Sequence, residues 1–221
     1  DRVVTFYTNV LWDAQIIYSS NIFKNIIDAI NQTINIISNE KSILLLIRIH
    51  PAEVKASNPS KQKLSNEIRK NCKIKSQNIK IIDAESNISS YKIAEISHVN
   101  VIYVTKMGLE MAIMKRNILI CGESFSRNKG YGVDIKNINQ FRNELVFNTP
   151  KEKELDDRYN IALKYAHYLY FERMIDVPIE SISNETGSFT KPILTKESLG
   201  CPGIKKIVNT IINNVPTYIK Y

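Results

Sequence analysis

The chain has 221 residues, a hydrophobic fraction of 43%, a charged fraction of 24% and a formal net charge of +8. That length suffices for one sizeable α/β domain or for a domain with an appendage, and the composition is ordinary for a globular protein. The apolar runs are too short to cross a bilayer, the three scattered cysteines lack the spacing of a zinc site or disulfide framework, and the dispersed cations disfavour nucleic-acid binding.

Short apolar segments, rich in β-branched or aromatic residues, predict the strands. They cover residues 3–10, 42–49, 79–82, 99–104 and 118–121. The second is almost wholly apolar, which is typical of a central strand covered on both faces. Trp12, just after the first strand, is predicted to lie in the core.

Helices are predicted between these strands. Residues 21–37 repeat isoleucine at helical spacing, residues 60–71 form a polar surface helix, and Ser89 or Ser90 is placed to cap a helix over residues 89–97. Another helix covers residues 108–114. Alternating strands and helices predict the α/β class, with a Rossmann-like parallel sheet flanked by helices.

The last third of the chain is predicted to be helical. One long helix covers residues 155–174 and a shorter one residues 204–213, with a loop-like stretch at residues 181–192. We therefore expect a Rossmann-like domain over residues 1–150 and a helical extension over residues 151–221, packed on the same domain.

Polar residues follow three of the predicted strands, and ligands of open α/β sheets bind at that edge. His50 and Pro51 come first: proline stiffens the backbone and biases His50 toward an extended conformation. The imidazole then either binds a phosphate or satisfies a nearby carbonyl, and the residues alone leave both interpretations open.

Two further loops supply candidate ligand-binding groups. Thr105, Lys106 and Gly108 lie at a strand-to-helix turn, where free helix N–H groups favour anions. Glu110 follows in the first turn and is suited to ribose hydroxyls or to the helix dipole. The third loop follows the strand predicted over residues 118–121. Its candidates for contact with a donor or acceptor substrate are Glu123, Arg127 and Lys129. The alternative for the strand-to-helix turn is an ordinary turn that binds nothing, and the alternative for the third loop is a solvated surface loop. No HExxH, Walker, GxGxxG or GxSxG motif occurs, so neither a metal nor a cofactor is expected.

Three stretches, "RIHPAE", "NISSYKIAEISHVNVIYVTKMGLEMA" and "GESFSRNKGYGVD", resemble in order and spacing the capsule polysaccharide biosynthesis family. That family is similar to bacterial β-Kdo transferases, and the wider group has the two-domain GT-B fold. The resemblance runs from residue 3 to residue 134. It implies a single GT-B-type domain, the C-terminal nucleotide-sugar-binding half, which agrees with a chain that does not begin with Met.

The resemblance also implies roles for particular residues. His50 and Pro51 match the His-Pro pair that contacts the nucleotide phosphate, which makes His50 the expected catalytic residue. Thr105 and Lys106 occupy the position of a hydroxyl pair that holds the same phosphate, although Lys106 replaces a small hydroxyl residue. Glu110 matches a glutamate that reaches the ribose.

The function expected from this resemblance is sugar transfer from a nucleotide-activated donor of the CMP-Kdo kind, in capsule or surface polysaccharide biosynthesis. The expected partners are the nucleotide sugar, a polysaccharide or glycolipid acceptor and, through the positive charge, an anionic membrane surface; nucleic acid is not expected. The expected location is the cytoplasm, peripherally at the inner face of the membrane. The alternatives are a non-catalytic nucleotide- or glycan-binding module and a sugar-nucleotide epimerase of the same architecture.

Overall fold

The structure is a computed structural model that describes residues 2–13, 22–55, 59–177, 195 and 198–216. The chain divides into two compact units, Asp1–Leu163 and Lys164–Tyr221. In the described part of the chain, no helix combines the length and the apolar character needed to cross a membrane.

The first unit is built on a six-stranded sheet in which every pairing of strands is parallel. The strands are β1 (Arg2–Tyr7), β2 (Ile43–Arg48), β3 (Ile79–Ile82), β4 (Val99–Ile102), β5 (Ile118–Ile120) and β6 (Val133–Asp134). Their order across the sheet is β3-β2-β1-β4-β5-β6. The predicted α/β, Rossmann-like fold is confirmed, and β6 is an additional edge strand.

Helices follow most of the strands. In the first unit they are α1 (Ile26–Ile37), α2 (Ala52–Lys55), α3 (Leu64–Asn71), α4 (Ser90–Ile96), α5 (Met107–Ile113), α6 (Ile138–Val146) and α7 (Glu152–His167), which continues into the second unit. Helix α1 begins later than its isoleucine pattern predicts, because the Asn25 side chain caps it by accepting from the Asp28 amide at 2.9 Å. Helix α6 is a further addition, capped in the same way by Asn137.

The core lies on both faces of the sheet, which is why the central strands are nearly continuous apolar runs. Helix α1 packs against α3, α6 and β2, while α4 packs against β1 and α5 against β5. Phe23 and Phe141 meet edge to face, with ring centroids 5.2 Å apart. These layers hold the strands rigidly, so the loops at the strand ends are carried on a fixed frame.

The second unit contains the end of α7, a π-helical turn (Tyr168–Glu172), a 3₁₀ turn (Ser198–Gly200) and helix α8 (Pro202–Asn213). The predicted helix over residues 155–174 therefore begins earlier, at Glu152, and changes to π geometry after His167. Cys201 caps α8 through its sulfur, which accepts from the Ile204 amide at 3.4 Å. The predicted loop at residues 181–192 lies outside the described residues.

The order of the strands creates a natural place for a ligand. The chain runs outward from β1 through β2 to β3, then returns to β4 on the other side of β1. Connections that leave β1 and β4 in opposite directions open a crevice beyond their carboxyl ends, and open α/β sheets bind ligands at this switch point.

Candidate functional site

A cavity of about 460 Å³ lies at the carboxyl ends of the strands, at the switch point between β1 and β4. We call it the carboxyl-edge cavity. Its lining comes from the loops that follow β1, β2, β4 and β5. The lining residues are Asn9, Val10, Trp12, Asp13, His50, Ala52, Val104, Thr105, Lys106, Met107, Glu110 and Phe125. Four residues predicted from the sequence therefore meet at one cavity.

His50 is half-buried and is held in one orientation by the backbone. Its amide donates to Thr8 Oγ1 and its Nδ1 accepts from the Ala52 amide, both at 3.1 Å. In a neutral ring with Nδ1 as acceptor, the proton resides on Nε2. His50 is thus a donor through Nε2 and not a base at that atom.

The electrostatic surroundings favour this neutral form of His50. Burial lowers the pKa of His50, and the positive charge of Arg48 lowers it further, against an opposing effect of Asp13. Arg48 itself is buried and donates to Asp83 O at 2.7 Å, to Ser86 O and to Ser90 Oγ. Because the oxygens that bind Arg48 carry no net charge, its positive charge is not cancelled by them and acts on His50, just after the end of β2.

The glutamate of "RIHPAE" has a structural role. Glu53 is 1% exposed, and its Oε1 accepts from the Leu64 amide at 2.9 Å. That bond satisfies one of the free amides at the start of α3. Burial raises the pKa of Glu53. Pro51 accepts through its carbonyl from the Val54 and Lys55 amides and so opens α2.

Thr105 and Lys106 line the same cavity as His50. Thr105 is buried, and its Oγ1 accepts from the Met107 amide at 3.4 Å, at the start of α5. Lys106 is exposed at the same turn. The Gly108 amide donates to Thr105 O at 3.4 Å, so this amide is engaged within the turn.

Gly108 has a packing reason of its own. A Cβ at this position would lie 2.4 Å from Ile102 Cδ1 and 3.2 Å from Ser126 Oγ. Glycine therefore lets α5 approach β4 closely, which brings Lys106 and Glu110 to the cavity. Gly108 is not among the described residues that line it.

Glu110 reaches the cavity from the first turn of α5. Its Oε2 accepts from Tyr91 Oη at 2.9 Å. Because Tyr91 belongs to α4, this bond ties two helices together and holds the Glu110 carboxylate in place. Its Oε1 remains suited to accept from a hydroxyl pair such as that of a ribose.

The loop after β5 contributes a different side chain from those predicted. Phe125 lines the cavity, whereas Glu123, Arg127 and Lys129 are not among its described lining residues. Arg127 is buried and pairs with Glu123 at 3.4 Å, and Lys129 is exposed. Arg127 thus stabilises the loop through Glu123.

The prediction that Trp12 lies in the core is wrong. Trp12 is 59% exposed and lines the cavity. Its Nε1 donates to Ser60 Oγ at 2.9 Å, so a polar anchor holds the ring while its face stays accessible. Asn9 and Asp13 accompany it, with Asn9 Nδ2 donating to Asp13 Oδ2 at 2.8 Å. The position of Trp12 beside Asp13, just after the end of a strand, was the only signal for this exposure in the sequence.

The cavity combines donors, acceptors and an aromatic face. Lys106, Thr105 and the Nε2 proton of His50 suit an anionic group such as phosphate. Glu110 and Asp13 suit hydroxyl groups, and Trp12 suits a planar base or a sugar face. In the described residues no cluster of three or more His, Cys, Asp or Glu side chains has the geometry to hold a metal ion.

Comparison with known proteins finds similarity only among solved structures. No protein-family model and no curated protein sequence matches the chain. Over 72% of its length the chain is similar to the β-Kdo 2,4-transferase KpsC of Thermosulfurimonas dismutans, with 14% identity, a TM-score of 0.46 and 44% of that chain covered.

Two other solved structures are similar at comparable levels. The wall teichoic acid polymerase TagF matches 75% of the chain, with 12% identity, a TM-score of 0.43 and 35% of that chain covered. A protein assigned as a UDP-N-acetylglucosamine 2-epimerase from Listeria monocytogenes matches 100% of the chain, with 9% identity, a TM-score of 0.46 and 48% of that chain covered. The chain therefore spans less than half the length of each of these three proteins.

Proposed function

We propose that the chain binds a nucleotide-activated sugar in the carboxyl-edge cavity and is the donor-binding half of a glycosyltransferase. One observation carries the proposal: His50, Thr105, Lys106 and Glu110 converge from two loops on a single cavity at the switch point of a parallel sheet. The motif resemblance described above supports the same assignment of these residues.

The chemistry of sugar transfer explains why such groups would be needed. As the glycosidic bond to phosphate breaks, negative charge develops on the departing phosphate. A preorganised Nε2 donor on His50 and the charge of Lys106 would stabilise that charge more than they stabilise the bound donor. His50 acts as a hydrogen-bond donor in this scheme, so its neutral form is the active one.

The remaining cavity groups would place the rest of the nucleotide. Glu110 would accept from the ribose hydroxyls, while Trp12 would stack on the base or the sugar. A donor of the CMP-Kdo kind, and an acceptor that is a capsule polysaccharide or glycolipid, are the finer parts of the proposal. With such substrates, the proposed location is the cytoplasm, at the inner face of the membrane.

Calorimetric titration tests the proposal with free CMP, UDP and CDP, followed by the corresponding sugar nucleotides. We expect one of these nucleotides to bind at a single site and His50→Asn to weaken its binding, because Asn retains an acceptor for the Ala52 amide but lacks the Nε2 donor. Absence of saturable binding for every nucleotide would overturn the proposal. So would an unchanged dissociation constant in His50→Asn for the nucleotide that binds.

A second candidate is a module that binds the nucleotide without transferring the sugar. The two carboxylates among the described lining residues already accept a side-chain hydrogen bond, Asp13 from Asn9 and Glu110 from Tyr91, which weakens each as a general base. Incubating the protein with sugar nucleotide and a mixture of glycan acceptors separates the candidates. A glycosyltransferase yields a glycosylated acceptor, and an epimerase yields an isomerised sugar nucleotide. A binding module yields neither product.

A further inference from the structure

A second pocket, of about 330 Å³, lies at the opposite edge of the sheet. We call it the amino-edge pocket, because His98 and Asn117 in its lining directly precede β4 and β5. The other lining residues are Glu95, Ile96, Ser97, Lys115, Arg116, Thr149, Pro150 and Leu155. Nothing in the proposed sugar transfer uses this pocket.

Asn117, which lines this pocket, contains a buried and unsatisfied donor. The residue is 5% exposed, and its Nδ2 has no hydrogen-bond partner among the described residues. Its orientation is determined by Arg158, whose Nη1 donates to Asn117 Oδ1 at 3.0 Å. Because a guanidinium cannot accept a hydrogen bond, the amide oxygen must face Arg158, so Nδ2 is directed elsewhere. A buried donor without a partner calls for an acceptor.

Arg116 lines the pocket, and Arg158 and Arg2 each contact one of its lining residues. In the described part of the chain none of these three arginines forms an ion pair. Arg116 donates to the carbonyls of Met114 and Glu95, at 2.9 and 3.3 Å. Arg158 lies behind Asn117, and Arg2 lies behind Thr149, to which it donates at 3.0 Å. Neutral oxygens fix these guanidinium groups, and Arg2 also interacts with the charge of Glu144: burial lowers the pKa of Arg2, and Glu144 raises it.

The other polar groups of the lining agree with this positive character. His98 Nδ1 accepts from the Val3 amide at 3.1 Å, so a neutral His98 carries its proton on Nε2. Lys115 pairs with Asp156 at 2.7 Å, and Glu95 pairs with Lys92 at 3.4 Å. These two acids thus have lysine partners, whereas Arg116 and Arg158 form no ion pair within the described part of the chain.

The backbone of Lys115 has an unusual conformation. Its φ is +55°, in the left-handed region that favours glycine, at the end of α5. The Lys115 and Arg116 amides return to Ala112 O and Met111 O, closing the helix. This tight closure brings Arg116 and Asn117 to the pocket within a few residues of the helix end.

We propose that the amino-edge pocket binds a small organic oxyanion, a phosphate monoester or a carboxylate, with its anionic group on Asn117 Nδ2 and Arg116. The apolar side chains of Ile96, Pro150 and Leu155 suit the carbon skeleton of such a ligand. This site is separate from the proposed nucleotide site, because it lies at the opposite ends of the strands.

Nuclear magnetic resonance of the full chain tests the proposal through the side-chain NH₂ signals of Asn117. The probes are inorganic phosphate, phenyl phosphate and benzoate, each added at constant ionic strength. We expect phenyl phosphate or benzoate to move these signals saturably and to bind more tightly than inorganic phosphate, which lacks the apolar part. Whichever probe binds better distinguishes a phosphate from a carboxylate ligand.

Two variants test the assignment of residues. Asn117→Asp keeps an acceptor for Arg158 but removes the Nδ2 donor and adds a negative charge, so the bound probe should be held roughly tenfold or more weakly. Because this variant lacks the reporting NH₂ group, its titration is followed through the backbone amide signals of Lys115 and Arg116. Arg116→Gln should weaken the same probe while Asn117 still reports on it. His50→Asn should leave the amino-edge titration unchanged, which separates this site from the nucleotide site.

Three outcomes would overturn the proposal. One is the absence of a saturable shift with every probe, as expected when water alone satisfies Asn117. Another is a shift spread evenly over surface lysines and arginines. The third is unchanged probe affinity in both Asn117→Asp and Arg116→Gln, measured on variants whose melting temperatures show that they are folded.

Discussion

At the carboxyl edge of the sheet His50 Nδ1 accepts from the Ala52 amide, and at the amino edge His98 Nδ1 accepts from the Val3 amide, both at 3.1 Å. Each edge therefore presents a histidine whose orientation the backbone decides. The edges differ in their cations. Among the described lining residues, the cation of the carboxyl-edge cavity is the exposed Lys106, which shares the cavity with Asp13 and Glu110. The amino-edge pocket is lined instead by Arg116, bound to neutral oxygens, and by Lys115, paired with Asp156.

The direction of a parallel sheet explains this difference. Helices begin near the carboxyl ends of the strands and end near the amino ends, so the amino edge collects the free carbonyls of helix C-termini. Arg116 uses the carbonyls of Glu95 and Met114, at the ends of α4 and α5. A cation held there satisfies helix carbonyls and needs no carboxylate partner. Variants that change one edge and leave the other intact test this comparison.

The largest expected effect is a loss of stability at the carboxyl edge, caused by Gly122→Ala. A Cβ at Gly122 would lie 2.2 Å from Tyr103 O, where the loops after β4 and β5 meet. Because a backbone atom cannot move aside, we expect the free energy of unfolding to fall by about 3 kcal/mol, the upper end for overpacking. Urea unfolding measures this change. Gly200→Ala is the control, since nothing lies within 4 Å of its Cβ; equal stability of the two variants would contradict the close packing.

Substitution of His50 should separate binding from stability. His50→Asn should weaken nucleotide binding by about 1.5–3 kcal/mol, the range for hydrogen bonds to charged groups, with little change in melting temperature. His50→Ala should lose the same affinity and also melt earlier, because nothing then accepts from the Ala52 amide. Asn117→Asp, at the other edge, should leave nucleotide affinity unchanged. If His50→Ala melts earlier but binds nucleotide normally, the histidine is purely structural.

Trp12 should matter for ligand affinity more than for folding. We expect Trp12→Ala to weaken nucleotide binding by about 1–3 kcal/mol, the range for stacking of a base on an aromatic ring. Trp12→Phe should retain much of this affinity, because it preserves a ring face and loses only the bond to Ser60. Calorimetry on both variants provides the measurement; equal affinities for wild type and Trp12→Ala would remove Trp12 from the site.

The stability of the carboxyl edge should depend on pH. Burial lowers the pKa of His50 in the folded state, so below about pH 6.5, the unperturbed pKa of histidine, the unfolded state binds more protons. The contribution of neutral His50 is therefore complete above that pH and is lost as the pH falls through the folded-state pKa. Thermal melts from pH 8 down to pH 5 should show a smaller loss for His50→Asn than for wild type; parallel curves would contradict a buried, neutral His50.

The smallest effect concerns the net charge of +8. We expect weak binding to anionic vesicles that disappears with added salt, because exposed charges are screened over about 8 Å at physiological ionic strength. Vesicle sedimentation at increasing salt measures it. Binding that persists in roughly 1 M salt, where the screening length is near 3 Å, would indicate a hydrophobic anchor instead.

Much of the fold could be predicted from local patterns. Strand segments such as residues 79–82 match the observed β3 (Ile79–Ile82), because a buried parallel strand needs an apolar run. Strand β6 (Val133–Asp134) and helix α6 were not predicted. A strand of two residues has no detectable period, since its pairing with β5 defines it.

The candidate site likewise has a part that could be predicted from the sequence and a part that only the structure shows. The sequence by itself determined that His50, Thr105, Lys106 and Glu110 follow strands, and the parallel direction of those strands implied a common edge. Only the tertiary structure decided that Trp12 faces the cavity, because its exposure depends on the anchor to Ser60, 48 residues away. The same holds for Asn117, whose free donor results from Arg158 on a distant helix. Local patterns determine which backbone forms, whereas the polar partner of a side chain is chosen by packing between segments far apart in the chain.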